Sequence, residues 1–394
     1  MKSDLCVGNR CQPATLLNDP SEQVTQADAT DPPSSSWGAA LEPAPITLCV
    51  INYNGESLLA DTLRAAEASN PPFAEILLLD NASTDDSRAL AEREFPQVRI
   101  VALPRNEGPG HARNIGFEQA SFSRVLFVDN DVLLDPGCAA RLTTELDSDD
   151  DAVIAVPRVL YRQAPTVIQY DGASSHFLGM MSLEHADTPV LDAPVNTRSI
   201  DSLVSACFLV DRDRWHGGDL FDDAFFIYHE DHDLGLRTRL GGGSILSVPH
   251  ALCLHGDGTA GLSLRATGTY KPVRVLGNIR NRWLILLKNY ELRTLLLLAP
   301  ALVTYEAFQL AGALRKRWHR EWWQAFTSVL ADRRIIMEKR RQVQSLRRVS
   351  DSLVLRGGEI PFTSRLATGR GERFAQGTLN AICSGYWNVV HRWL

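Results

Sequence analysis

Two acidic pairs in this 394-residue chain have the residue types and spacing for chemistry on a phosphorylated substrate. Asp129 and Asp131 stand i, i+2 directly after the apolar run Val125-Leu126-Phe127-Val128. Carboxylates suit hard cations, and Mg²⁺ is usually held by one or two of them together with substrate phosphates. The chemistry implied is a metal–diphosphate site; the bland alternative is a strand that ends in a polar turn. Glu230 and Asp231 follow the aromatic run Phe225-Phe226-Ile227-Tyr228 and open a segment of helical character. A helix dipole alone favours acids there. A carboxylate that takes a proton from a substrate hydroxyl is the functional reading.

These residues need elements to position them. A continuous apolar run bounded by polar residues reads as a strand buried on both faces. Such strands recur at Ile46–Ile51, Glu75–Leu79, Val98–Val101 and Arg124–Val128, and helical patterns fall between them at 56–69, 87–94 and 111–120. Alternation at this spacing implies right-handed βαβ units, hence an α/β, doubly wound, mostly parallel sheet. Each strand ends in polar residues that can reach one crevice: Asn52 and Tyr53, Asp80 and Asn81, Asn106 and Gly108, then Asp129 and Asp131. Ligands of such sheets bind beyond the carboxyl ends of the strands. Neither GxGxxG after the first strand nor GxxxxGK[ST] occurs, which argues against a dinucleotide oxidoreductase and a P-loop phosphotransferase.

Val50-Ile51-Asn52-Tyr53-Asn54, Leu79-Asp80-Asn81-Ala82-Ser83-Thr84-Asp85, Arg105-Asn106-Glu107-Gly108 with Ala112-Arg113-Asn114-Ile115-Gly116, and Phe127-Val128-Asp129-Asn130-Asp131 stand in one order and spacing. Together they resemble the family 2 glycosyltransferases of GT-A fold, over about Ile46 to Tyr290, and within them the rhamnosyltransferase-like bacterial members. The resemblance implies that Asp80 binds the nucleotide base and that Asn52, Tyr53, Asn81, Asn106, Gly108, Arg113 and Asn130 belong to the donor site. Asp129 and Asp131 would hold Mg²⁺ or Mn²⁺ on the donor diphosphate. His255, after the apolar strand Ala251–Leu254, stands where related transferases place a His on the metal; His250 is the lesser candidate. Asp231 would be the general base of an inverting transfer, with Glu230 on the acceptor. Asp233 and Arg237 read as structural. His229 departs from the family pattern and leaves the acceptor pocket open, along with any part played by His232.

The net charge of −7 argues against general nucleic-acid binding, but it hides an asymmetry. Arg315–Arg348 holds eleven Arg or Lys against three acids, a local charge of +8, so the remainder carries −15. The seven cysteines are scattered without a CxxC pair, which fits a reducing compartment and no zinc site. Residues 1–43 have the composition of a disordered tail, without a signal-peptide pattern. Tyr161–Pro194 shows few periodic features, and the resemblance implies that it flanks the acceptor side; Asp201–Val210 resembles the next strand of that family. Residues 44–290 are thus expected as the catalytic domain, 291–349 as a helical, membrane-associated segment, and 350–394 as a tail of weak pattern.

Thr294–Ala313 is about as long as a bilayer span, yet it contains Pro300, Glu306 and Gln309. A mid-span charge is costly, so an interfacial or re-entrant helix competes with a full crossing. The basic, Trp-rich stretch that follows suits anionic headgroups and would keep the catalytic domain at the cytoplasmic face of the cell membrane. The alternative is a helical hairpin packed on the catalytic domain, or a homo-oligomer surface. The function expected is transfer of a sugar from a nucleotide-diphosphate donor to a lipid-linked or saccharide acceptor in cell-surface polysaccharide or glycolipid synthesis. Its rivals are a sugar-nucleotidyltransferase and a catalytically silent, membrane-bound relative that binds sugars. The loop Asn52–Glu56 lacks the basic residues a nucleotidyltransferase presents, and the four acids retained together disfavour the silent relative.

Overall fold

The strand at the centre of the sheet carries an unbroken apolar run. β4 (Arg124–Asp129) buries Val125 to Val128 completely. It lies between β1 (Ala44–Asn52) and β11 (Cys207–Asp211), parallel to the first and antiparallel to the second. β2 (Phe73–Asp80) and β3 (Arg99–Ala102) continue the parallel half beyond β1. On the other side come β6 (Ala152–Tyr161), β12 (Ser244–His255) and β10 (Arg198–Ile200), giving the order β10-β12-β6-β11-β4-β1-β2-β3. The short β5 (Val132–Leu134) pairs with β12, and β7 (Ala164–Tyr170) with β6. The coordinates are a computed structural model that describes residues 42–256, 272–362 and 369–394. The tail expected over 1–43, save its last two residues, lies outside the described residues, as do Asp257 and Gly258.

Helices cover both faces, as a doubly wound sheet requires. α1 (Leu59–Glu67) buries Leu59, Leu63 and Ala66, helical spacing that lays one stripe on the sheet. With α2 (Ser87–Glu94) and α4 (Cys138–Asp147) it closes one core around Leu48, Val50, Leu126 and Val128. α3 (Pro109–Gln119) and α5 (Glu230–Leu240) contribute to the opposite core around Cys49, Phe127 and Phe208. Because side chains alternate along a strand, neighbouring residues of β1 and β4 serve different cores.

Register brings the polar strand ends into one line. Asn52 of β1 pairs with Asp80 of β2, and Ile51 with Asp129 of β4. His255 at the end of β12 pairs with Val132 of β5, beside Asp131.

Three stretches differ from the sequence expectation. Tyr161–Pro194 is not irregular: it contains β7, β8 (Ala173–His176) and β9 (Met180–Leu183), the last two a hairpin joined by β13 (Leu355–Arg356). Its buried positions include polar residues such as Asp171, paired with Arg158 of β6, so apolar alternation was a poor guide. The strand expected over Asp201–Val210 starts at Cys207; Ser202 instead exchanges two backbone hydrogen bonds with Ala173. Beyond residue 350, α11 (Arg370–Val390) buries Leu379, Cys383, Trp387 and Val390 on one helical face.

The remaining helices are α6 (Pro272–Asn289), α7 (Leu292–Arg315), α8 (His319–Ala331), α9 (Arg333–Leu346) and the short α10 (Asp351–Val354). Leu284, Leu298, Leu302 and Trp387 pack with Phe177, Phe225 and Leu236, so the C-terminal helices share a core with residues far earlier in the chain. The described residues form one compact unit. The five cysteines among the described residues are free and buried.

Candidate active site

Asp129, Asp131 and His255 converge at the carboxyl end of β4, each offering a ligand atom, all within 4.8 Å of one another. His255 Nε2 lies 3.3 Å from Asp131 Oδ1, and its Nδ1 lies 2.7 Å from Gln169 Oε1. With the Gln169 oxygen as acceptor, Nδ1 carries the proton and Nε2 presents its lone pair to the carboxylates. A ring N–H tied to an amide oxygen in this way fixes the orientation in which the imidazole would meet a metal. Two carboxylates and an imidazole make a donor set that fits Mg²⁺ or Mn²⁺.

Arg113 of α3 is buried, and its Nη2 donates to Asp129 Oδ1 at 2.5 Å and to the Ser205 carbonyl at 3.0 Å. Its guanidinium lies 5.5 Å from the Phe221 ring centre. This residue, expected to touch the donor, thus fixes the first carboxylate of the pair. Asn130, between the two aspartates, turns away: its amide donates to Asn52 Oδ1 at 2.8 Å. The Asn52 amide reaches Asp80 Oδ1 at 3.1 Å and Ser87 Oγ at 2.9 Å. Gly55 sits so close to both asparagines that a Cβ there would collide with them. Asn81 donates to Asn106 Oδ1 at 3.0 Å, which also accepts from the Gly108 N–H at 2.9 Å. The Asn81 N–H bonds the Asn52 carbonyl, so these expected donor residues form one network across four strand ends, with half-buried Tyr53 beside it.

Glu230 and Asp231 open α5 on the far side of Ser205. Asp231 accepts from the His232 N–H at 2.8 Å and from the Ser205 N–H. The Ser205 peptide thus touches Asp231 with its N–H and Arg113 with its carbonyl. Burial pushes Asp231 up to about 6, and burial with the neighbouring Asp231 charge pushes Glu230 up to about 8. Glu230 Oε2 is buried without a hydrogen-bond partner among the described residues. Burial holds His229 near 4 and His232 near 3, so neither supplies a cation to the acids at neutral pH. Asp233 is structural, paired with Arg237 and Lys288. His250 is half-exposed and faces Glu145, away from the cluster.

The turn before the acids is strained. Phe226, Tyr228 and His229 have φ of 55°, 71° and 66°, a region costly for residues other than glycine. Asn281 of α6 holds it: the buried amide donates to the carbonyls of Phe225, Ile227 and Tyr228 at 2.9, 2.9 and 2.8 Å. Arg280 Nη1 adds a bond to the Ala224 carbonyl at 2.6 Å. The turn leans on Gly108, whose φ is 97° and where a Cβ would collide with the Phe226 carbonyl. Gln169, Ser205 and Asn281 were not singled out from sequence. A lone amide and a backbone peptide carry no local signature.

Residues 47–196 match the family model of glycosyl transferase family 2. That stretch, which holds Asn52, Asp80, Arg113, Asp129 and Asp131, is similar to the family 2 glycosyltransferases. Among curated proteins it is 31% identical over 150 residues to the succinoglycan biosynthesis protein ExoO of Rhizobium meliloti, covering 38% of this chain and 40% of that protein. It is 28% identical over 234 residues to the N-acetylglucosaminyl-diphospho-decaprenol L-rhamnosyltransferase of Mycobacterium tuberculosis, covering 53% and 75%. The chain spans well under half of the succinoglycan protein's length. Among solved structures, S. aureus TarS 1-349 in complex with UDP-GlcNAc superposes with a TM-score of 0.48 at 14% identity, over 87% of this chain and 91% of that one.

Proposed function

We propose that the protein is an inverting glycosyltransferase of cell-surface polysaccharide or glycolipid synthesis. It moves a sugar from a nucleotide-diphosphate donor to a hydroxyl of a lipid-linked or saccharide acceptor. The observation that carries this reading is the pairing of the Asp129–Asp131–His255 cluster with the acids at the α5 N-terminus, joined through Arg113 and the Ser205 peptide. Asp129, Asp131 and His255 would hold Mg²⁺ or Mn²⁺, which when bound stabilises charge on the departing diphosphate. The Asn52–Asp80–Asn81 network receives the nucleotide. The acceptor oxygen bonds to the anomeric carbon as the bond from that carbon to the diphosphate oxygen breaks, and its proton passes to Asp231. Glu230, protonated at neutral pH by its raised pKa, donates a hydrogen bond to the acceptor.

In this reading residues 44–290 carry the catalysis, 291–349 face the cytoplasmic leaflet of the membrane, and the rhamnosyltransferase relative suggests a polyprenyl-linked acceptor. The test is product analysis with a panel of UDP-, GDP- and dTDP-sugars and Mn²⁺. Release of the nucleoside diphosphate with transfer of the sugar is expected. Pyrophosphate release from a nucleoside triphosphate and a sugar phosphate would identify a nucleotidyltransferase instead.

A further inference from the structure

Helix α7 is fixed along its length on one side. Its Glu306 pairs with buried Arg282 of α6, and the Arg282 guanidinium lies 4.3 Å from the Tyr305 ring centre. Tyr386 of α11 donates to the Leu297 carbonyl at 2.6 Å. Arg293, at the start of α7, bonds the Trp393 carbonyl just past α11, and Arg315 at the end of α7 pairs with Glu372 at 3.2 Å. The two helices therefore run antiparallel.

The other side of α7 is bare. Leu292, Leu296, Pro300 and Val303 are exposed, and the line continues through Ala307, Ala311 and Leu314. Steps of four and three residues keep all seven on one face of a helix about 36 Å long. On α11, Phe374, Thr378, Ile382, Gly385 and Val389 form a second exposed line with the same steps. No charged residue lies between Phe374 and Val390. Among the described residues, seven of the twenty exposed large apolar side chains lie on these two helices: Leu292, Leu296, Val303, Leu314, Phe374, Ile382 and Val389. Arginines bound it at both ends: Arg293 and Arg392 at one, Arg315, Arg370 and Arg373 at the other.

We propose that α7 and α11 together form an in-plane docking surface for an anionic lipid bilayer. Apolar side chains enter the headgroup boundary and the flanking arginines meet lipid phosphates. The helices lie in the leaflet and do not cross it. A crossing would carry Arg282 and the charged helix α6, fixed to α7 at mid-length, into hydrocarbon. Charge also decides against a second copy as occupant, since two such faces docked together would set arginine against arginine at both ends. The inference rests on the membrane placement in the preceding reading and not on its sugar chemistry.

The test floats the full chain, without nucleotide-sugar or metal, on vesicles of phosphatidylcholine alone or with roughly one-third phosphatidylglycerol. Partition onto the anionic vesicles at least ~10-fold above the neutral ones, weakened by salt, is expected. The double variant Leu296→Glu with Val303→Glu should lose ~10-fold or more of that partition while keeping the wild-type melting temperature, because both positions are exposed. Wild-type protein bound to vesicles should be released by alkaline carbonate. Equal partition of variant and wild type, absence of vesicle binding, retention through carbonate as an integral span, or a vesicle-indifferent dimer that the variant dissociates would each overturn the proposal. Nucleotide-sugar binding measured separately reports on the catalytic reading, so the two fail independently.

Discussion

Asp231 lies among groups of both signs. The Arg113 charge and backbone N–H groups draw it down, while burial pushes it up more strongly. Its proton should leave near pH 6, so turnover should climb between pH 5 and 7, read in a pH–rate profile at saturating donor. Both acids hold protons in the folded protein at pH values where the unfolded chain has lost them. The pair therefore costs stability progressively as pH rises from about 4 through about 8. Asp231→Asn should keep the melting temperature and donor affinity and lower kcat by ~10²–10⁴, the range for loss of a general base. Near-wild-type turnover would place the base elsewhere. The convergence of Asp129, Asp131 and His255 and the asparagines at the strand ends were readable in the sequence, because those residue types stand directly after apolar strands. The bond from Arg113 to Asp129 was not: one guanidinium serves a phosphate or a carboxylate equally well, and only the fold shows that it reaches Asp129.

At the scale of the element, the strained turn Phe225–His229 has three of its carbonyls bonded by one amide on α6. Asn281→Asp keeps the size of the side chain and removes its donors, leaving three carbonyls to compete for nothing. The expected loss is about 2–4 kcal/mol of stability, from unsatisfied buried carbonyls. A fall in kcat should accompany unchanged donor affinity, since the donor network lies on other strands. Hydrogen exchange of a peptide spanning 225–232 should rise more than that of β1 or β4; uniform acceleration would make Asn281 an ordinary core residue. The βαβ half of the sheet was legible because its strands are apolar throughout and its helices periodic. β7 to β9 were not, because buried ion pairs and small polar residues hold them and leave no alternating pattern.

At the scale of the molecule, the C-terminal helices complete a core that Phe177, Phe225 and Leu236 begin. Leu298 of α7 is fully buried there. Leu298→Ala should cost about 2–5 kcal/mol, seen as a lowered melting temperature, although the residue lies outside the stretch that matches the family. A melting temperature equal to wild type would show that α7 is an appendage. The sequence showed α7 as an apolar segment interrupted by Pro300 and Glu306, but it could not show that Glu306 has Arg282 as its partner, 24 residues away in sequence. α11 escaped notice because only four of its positions are buried, too narrow a stripe to stand out.

The most direct test of the central claim is titration calorimetry of the full chain with UDP-, GDP- and dTDP-sugars, in Mn²⁺ and in EDTA, repeated for Asp129→Ala. One donor should bind the wild type with Mn²⁺ and lose affinity ~10-fold or more both in EDTA and in the variant, as loss of a charge-stabilising cation predicts. Donor binding that ignores both the chelator and the substitution would contradict the metal–diphosphate site on which the function rests.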